Sequence, residues 1–251
     1  MRRDRCLETM VWLLWWDAHQ DAAVLSIRQP VEELMAHTVA RACALFLHSS
    51  IESVAVSLRR ICVFCGSSVG TDDVYRTATV ALARELANRG IGLVYGGASV
   101  GLMGVLADSV LAGGGEVIGV LPRALADREI AHLGLSHLHV VESMHERKSL
   151  MAELSDAFIA LPGGFGTFEE FCEAVTWTQL GLHSKRCGLL NVAGFYDPLL
   201  ALFDRAVAEG FLRPQNRTIV AAEDDPAALL DRLALPAALS EPKWIPSLDQ
   251  T

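Results

Sequence analysis

Short apolar runs alternate with longer amphipathic segments from Ile61 onward. The short runs are typical of strands buried on both faces, and the amphipathic segments are typical of helices. The predicted strands cover residues 61–65, 92–95, 116–121, 137–141, 157–161, 188–192 and 218–221. The predicted helices cover residues 73–88, 100–112, 144–154, 167–180 and 198–209, and a last short one starts at Pro226. This order predicts an α/β fold, a doubly wound, Rossmann-like parallel sheet with helices on both faces.

The beginning of the chain follows a different pattern. It contains helical stretches and three clustered tryptophans, but few of the turn residues that separate strands and helices in the rest of the chain. Glu8 and Asp17 interrupt its first apolar stretch, which therefore does not fit a signal peptide. We expect residues 1–58 to form a dispensable helical extension, or to come from a misassigned start codon. Residues 59–236 are then the Rossmann-like domain, and residues 237–251 are a C-terminal tail.

Composition excludes several classes of protein. Lys and Arg number 21 against 30 Asp and Glu, a formal charge of −9, which argues against a nucleic-acid partner. Apolar runs stay far below the roughly 18 residues that a membrane span requires, so we expect no membrane crossing. The six cysteines are scattered and lie mostly in apolar stretches, as in proteins of a reducing compartment. We therefore predict a cytoplasmic protein.

Two groups of residues superficially resemble metal sites. Cys62 and Cys65 form a CxxC motif, but they lie in a predicted strand, where positions three apart point to opposite faces. His132, His137 and His139 have no carboxylate pair beside them in the sequence. We expect these histidines to be surface or hydrogen-bonded residues, and we expect no metal centre.

Three predicted strands end in clusters of small residues, each directly before a helix. The clusters are Gly66-Ser67-Ser68, Gly96-Gly97-Ala98-Ser99 and Gly163-Gly164-Phe165-Gly166-Thr167. A helix N-terminus offers free N–H groups to an anion, and the carboxyl edge of a parallel sheet is where ligands bind. One such turn is common, whereas three at one edge favour phosphate or ribose binding. Neither the P-loop nor the dinucleotide spacing is present.

Charged residues gather around the third cluster. Glu169 and Glu170 lie at the start of a predicted helix, and Glu173 shares a helix face with Glu170. Two carboxylates in a first turn could simply stabilise the helix through its dipole. Arg147 and Lys148 lie near the start of another predicted helix. The bland alternative is a solvated helix start, but cations near a helix N-terminus oppose the helix dipole. Their placement indicates an anionic partner.

Longer motifs link these residues to a known family. They are Met144-His145-Glu146-Arg147-Lys148 and Pro162-Gly163-Gly164-Phe165-Gly166-Thr167-Phe168-Glu169-Glu170. Together with Val94-Tyr95-Gly96-Gly97, Gly101-Leu102-Met103-Gly104 and Trp177-Thr178-Gln179-Leu180-Gly181, they resemble the "lonely guy" (LOG) family of cytokinin-activating phosphoribohydrolases. Members of this family were often mislabelled as lysine decarboxylases. The resemblance covers roughly residues 60–235.

The resemblance implies hydrolysis of the N-glycosidic bond of a nucleoside 5′-monophosphate, isopentenyladenosine monophosphate or AMP, to free base and ribose 5-phosphate. It implies that Arg147 and Glu170 are catalytic. It also implies substrate contacts from Glu129, Lys148, Gly163, Gly164, Phe165, Gly166, Thr167, Phe168, Glu169 and Thr176. It implies no metal or organic cofactor, and a homodimer with the site near the subunit interface.

The residue types suit this chemistry. The bond breaks through an oxocarbenium-like sugar, so a carboxylate beside C1′ can stabilise positive charge or activate water. The glycine turn would hold the 5′-phosphate, and the arginine fork would hold phosphate or ribose oxygens. Gly66, Ser67, Gly96 and Gly97 are candidate phosphate or ribose contacts at the other two turns.

Two departures and several rival functions remain. Phe165 replaces the usual tyrosine, and Ala98 replaces a usual glycine, which would strain the backbone if that position has positive φ. A pyridoxal-phosphate decarboxylase needs a Schiff-base lysine, and the chain has only Lys148, Lys185 and Lys243. An AMP or purine nucleotide nucleosidase and a non-catalytic nucleotide-sensing module remain open as alternatives.

Overall fold

A computed structural model describes residues 57–126 and 131–235 of the chain. Most of the predicted extension (1–58), the predicted tail (237–251) and Glu129 lie outside the described residues. The structure therefore bears on the predicted Rossmann-like domain. Within the described ranges, no helix is long and apolar enough to cross a membrane.

Strands and helices alternate along the described residues. The strands are β1 (Arg60–Phe64), β2 (Gly92–Tyr95), β3 (Val117–Pro122), β4 (His137–Val141), β5 (Ala157–Ala160), β6 (Cys187–Leu190) and β7 (Val220–Glu223). The helices are α1 (Asp73–Asn88), α2 (Gly101–Ala112), α3 (Arg123–Ala126), α4 (Met144–Glu153), α5 (Phe165–Leu180), α6 (Asp197–Ala208), α7 (Pro214–Arg217) and α8 (Pro226–Ala234). A 3₁₀ turn at Val192–Gly194 follows β6.

The strands form one parallel sheet in the order β4-β3-β2-β1-β5-β6-β7. Cys62 in β1 pairs with Val94 in β2 on one side and with Phe158 in β5 on the other. The direction of winding reverses between β1 and β5, and this reversal opens a crevice at the carboxyl ends of those strands. The predicted fold class is confirmed, and the crevice lies where the first and third small-residue turns begin.

Two apolar layers cover the sheet. Ile61, Val63 and Cys65 point into a layer packed by α1, α2 and α8, whereas Cys62 and Phe64 point into a layer packed by α4, α5 and α6. The two cysteines of the CxxC motif therefore lie on opposite faces of the sheet, as predicted from the strand geometry.

Single-turn helices and one helix start differ from the sequence prediction. α3 and α7 were not predicted, because one turn is too short to show a 3.6-residue period. α5 starts at Phe165, two residues before the predicted start, because Gly164 takes an extended conformation (φ −100°, ψ −156°) and serves as the N-cap. The carboxylates of Glu169 and Glu170 consequently lie in the second turn of α5.

Tyr196 anchors the end of β5, from which the third turn departs. Its hydroxyl donates to the carbonyl oxygen of Leu161 at 2.7 Å, and its ring is only 1% exposed. Tyr196→Phe should lower the free energy of unfolding by about 1–3 kcal/mol, because a buried carbonyl loses its partner. Urea denaturation measures this loss. Tyr75→Phe is the control, since the Tyr75 hydroxyl has no hydrogen bond among the described residues, and equal losses in both variants would contradict the assignment.

Candidate active site

Backbone hydrogen bonds join the three turns at the carboxyl edge of the sheet. The N–H of Gly66 donates to the carbonyl of Pro162, and the N–H of Leu102 donates to the carbonyl of Gly66, each at 3.1 Å. The first turn is therefore bonded to the third turn on one side and to the start of α2 on the other. The spatial convergence expected from the sequence is present in the structure.

Glycine is required where these segments touch. A Cβ on Gly163 would lie 2.2 Å from Thr167 Oγ1 and 2.9 Å from the backbone nitrogen of Gly66. Gly101 has a φ of +59°, and a Cβ there would lie 2.2 Å from the carbonyl carbon of Ser67. Real Cβ atoms do not approach so closely, so these positions fix how near the turns can lie.

A cavity of about 290 Å³ opens between the first and third turns. It is lined by Gly66, Ser67, Ser68, Val69, Gly70, Tyr75, Leu102, Pro162, Gly163, Gly164 and Phe195. The start of α5 borders it, and no side chain caps that helix. The first N–H groups of a helix have no partner within the helix, so this end of the cavity suits an anion.

Arg147 is the buried cation of the site. Ser143 caps α4 by accepting from the N–H of Glu146 at 3.1 Å, and Arg147 is the next residue, at the end of the first turn. Its Nε donates to the carbonyl of Val120, two residues before the end of β3, at 3.1 Å, and the whole residue is 9% exposed. Its Nη2 lies against Gly96, where a Cβ would be only 2.2 Å away. The second turn therefore holds the guanidinium rather than facing the cavity.

Glu170 completes a buried ion pair with Arg147. Its Oε1 lies 3.1 Å from Arg147 Nη1, and the two side chains are 12% and 11% exposed. Burial raises the pKa of the Glu170 carboxyl; the guanidinium of Arg147 opposes this rise without cancelling it. A carboxylate with a raised pKa beside a fixed cation is suited to act as a base or to stabilise a developing positive charge.

Lys148 forms a second set of ion pairs between α4 and α5. Its Nζ lies 2.8 Å from Glu169 Oε1 and 2.9 Å from Glu173 Oε2. Burial disfavours the charged ammonium, but the hydrogen bonds to the two carboxylates outweigh it and raise the pKa of Lys148. α5 has no acidic residue in its first turn, so Glu169 and Glu170 lie too far along the helix to stabilise its dipole. Their carboxylates form ion pairs with Lys148 and Arg147 of α4 instead.

Other residues of the third cluster have varied surroundings. Thr167 is buried behind the turn, and Phe168 packs on Phe195 and Tyr196. Phe165 is 92% exposed at the helix start, and nothing within 4 Å would meet a Cβ on Gly166.

Thr176 lies apart from the other predicted contacts. It is six residues after Glu170, about 240° further around α5, and its hydroxyl donates to the carbonyl of Cys172 at 2.7 Å. It lines a second cavity of about 280 Å³ together with Phe203 and Phe211. A single chain therefore does not bring Thr176 to the glycine turns.

The remaining sequence hypotheses have clear outcomes. His132 pairs with Asp108 at 2.9 Å, and His137 and His139 are exposed, as expected for hydrogen-bonded or surface residues. Ala98 is not strained, because Ala193 is the one non-glycine residue with positive φ in the described part of the chain. Tyr75 and Phe195 were not predicted; they come from α1 and from the turn after β6, and neither lies in a motif.

Fold and site together define a Rossmann-like α/β protein with an anion-suited sheet edge and a buried arginine–glutamate pair. A family model described as "Possible lysine decarboxylase" matches residues 103–233. "Probable cytokinin riboside 5′-monophosphate phosphoribohydrolase LOGL1" from Oryza sativa subsp. japonica is 54% identical over 174 residues, which cover 69% of this chain and 78% of that protein. "Cytokinin riboside 5′-monophosphate phosphoribohydrolase LOG2" from Arabidopsis thaliana is 50% identical over 183 residues, 73% and 86% of the two chains. The chain belongs to the LOG family, as its motifs predicted.

Solved structures with lower identity share the fold. The molybdenum cofactor carrier protein from Chlamydomonas reinhardtii is 22% identical, with a TM-score of 0.54, and the match covers 70% of this chain and 98% of that one. The molybdenum cofactor binding protein from Rippkaea orientalis is 21% identical, with the same TM-score and coverage of 70% and 94%. At this level of identity the likeness concerns the architecture alone.

The contact at Gly163 can be tested by adding one methyl group. Gly163→Ala should lower the free energy of unfolding by about 1–3 kcal/mol, because the Cβ would overlap Thr167 and the backbone of Gly66. Gly166→Ala adds the same methyl group in open space, three residues later in the first turn of α5, and should be neutral or slightly stabilising. Urea unfolding of both variants decides, and a Gly163→Ala protein as stable as Gly166→Ala would show that the turns are not in contact.

Proposed function

We propose that this protein hydrolyses the N-glycosidic bond of a cytokinin nucleoside 5′-monophosphate and releases the free base and ribose 5-phosphate. Relatives that are 50–54% identical over more than two thirds of the chain are named for that activity. The observation that carries the proposal is the buried Arg147–Glu170 pair, 3.1 Å apart, next to the glycine turns. A buried pair of this kind is costly to form, and charged groups with perturbed pKa values cluster at functional sites.

In this proposal the 5′-phosphate binds at the start of α5. Ser67, Ser68 and Gly164, the N-cap of α5, line one cavity, and the free N–H groups at this helix start suit a phosphate bound there. Glu170 lies about 9 Å further along the helix axis, and helical side chains point back towards the N-terminus. A ribose extending from the phosphate towards Arg147 would therefore bring C1′ near the Glu170 carboxylate.

Glu170 and Arg147 have different roles in the proposed hydrolysis. As the bond from C1′ to the base nitrogen weakens, positive charge develops on the sugar, and the Glu170 carboxylate stabilises it. Glu170 then accepts a proton from the water whose oxygen bonds to C1′. That proton passes on to the departing base nitrogen, directly or through solvent, so the Glu170 carboxylate is regenerated. Arg147 holds Glu170 in place and offers its remaining N–H groups to ribose oxygens. No metal or organic cofactor enters this sequence.

The proposed setting is the cytoplasm, and the proposed assembly is a homodimer. Cys62, Cys65 and Cys187 are buried free thiols, as is usual for cysteines of a reducing compartment. The exposed Phe211 beside Thr176 offers an apolar contact for a second copy. Sedimentation equilibrium of the full chain measures the assembly directly.

The phosphate of the substrate should decide reactivity. Isopentenyladenosine 5′-monophosphate should yield free base and ribose 5-phosphate, with kcat/KM at least about tenfold above that of the dephosphorylated nucleoside, since each lost charge-assisted hydrogen bond has about that effect. A product assay with AMP alongside ranks the two nucleotides, and a preference for AMP would favour the salvage nucleosidase. Equal kcat/KM for nucleotide and nucleoside would contradict phosphate binding at the turns.

Glu170 should be essential to turnover. Glu170→Gln keeps the shape but removes the charge, so kcat should fall on the order of 10²-fold or more. Glu153→Gln, an exposed carboxylate at the end of α4, is the matched control and should leave kcat unchanged. Steady-state kinetics with both products quantified makes the comparison. Near-normal turnover by Glu170→Gln would instead support a nucleotide-sensing module.

A further inference from the structure

The ammonium of Lys148 is bound by two carboxylates of α5. Its side chain is 12% exposed, and its Nζ bonds Glu169 and Glu173 at 2.8 and 2.9 Å. Two of its three N–H donors are thereby used. Reaching a substrate phosphate would require the ammonium to leave two carboxylates, one of which, Glu173, is itself largely covered. In this structure the ammonium of Lys148 therefore bonds the carboxylates of α5.

The two carboxylates bracket Glu170 on the same helix. Glu169 precedes it by one residue, and Glu173 follows one turn later. Lys148, Glu170 and Glu173 line one narrow gap whose other walls include Phe158 and Trp177. Aromatic walls exclude water, so charges within this gap act on one another more strongly than they would at an open surface.

Several charged groups face Glu170. From α4 come Arg147 and Lys148, which favour its ionised form, and from α5 come Glu169 and Glu173, which oppose it. The thiols of Cys62 in β1 and of Cys65, directly after β1, lie nearby, and burial raises their pKa, so they stay neutral. Three carboxylates thus meet two cations across α4 and α5.

We propose that Lys148 and Glu173 are positioning residues for Glu170: Lys148 ties α4 to α5 and offsets the negative charge that Glu169 and Glu173 direct at the catalytic carboxylate. The inference rests on the proposed hydrolase function. It assigns Glu173 a role that none of the motifs indicates. It also predicts that replacing Lys148 and replacing Glu173 have opposite effects.

The test is the pH dependence of kcat for Lys148→Met and Glu173→Gln. Turnover falls with falling pH as Glu170 becomes protonated. Without Lys148 the bracketing carboxylates are uncompensated, so this acidic limb should move to higher pH by about half a unit or more. Without the charge of Glu173 the limb should move to lower pH. Lys148→Arg keeps the cation and should keep the wild-type limb, with thermal unfolding showing that each variant is folded.

Other outcomes overturn the proposal. A raised KM in Lys148→Met with an unmoved acidic limb would show that Lys148 binds the phosphate. An unmoved limb in Glu173→Gln would remove its positioning role. Carbon-13 NMR of labelled glutamate carboxyls, with Glu170 assigned from the Glu170→Gln spectrum, follows the same titration without any turnover. The protein could be inactive on nucleotides and still show opposite shifts of the Glu170 titration in the two variants. That result would refute the proposed hydrolase function, but it would support the coupling of Lys148 and Glu173 to Glu170.

Discussion

The buried ion pair between Arg147 and Glu170 constrains the whole site. Each side chain is about nine-tenths covered, and an unpaired charge in such a place would cost several kcal/mol. The pair therefore holds α4 and α5 at a fixed separation. Arg147 can reach this position only because Gly96 has no side chain and because the carbonyl of Val120 accepts from its Nε. Gly96 after β2 and Val120 near the end of β3 thus join α4 and α5 around a single ion pair.

Close backbone packing supplies the other half of the site. Gly163 contacts Gly66 across the crevice between β1 and β5, and Gly101 contacts Ser67 from the start of α2. Because these contacts exclude even a methyl group, the cavity between the turns is set by the backbone, which is stiffer than side chains. Under the proposed function, a phosphate bound there would meet N–H groups that are already oriented, so little reorganisation would accompany binding.

The sequence predicted the parallel sheet, its strands and the opposite orientation of Cys62 and Cys65, because a two-residue alternation in a buried strand leaves little choice of face. Motif comparison pointed to Arg147 and Glu170, and the structure adds that they touch. The start of α5 was missed, since an extended Gly164 is a backbone property without a side-chain signal. Tyr75 and Phe195 could not be predicted as cavity walls, because distant segments bring them together only in the folded chain.

The central claim is that Arg147 and Glu170 act as one unit on a nucleoside 5′-monophosphate. A double-mutant cycle tests it most directly, with turnover of isopentenyladenosine 5′-monophosphate measured for Arg147→Met, Glu170→Gln and the combined variant. The account predicts that the double variant loses about as much activity as the more damaging single variant, as residues acting together do. Losses that multiply would show that the two side chains contribute independently and would contradict the account.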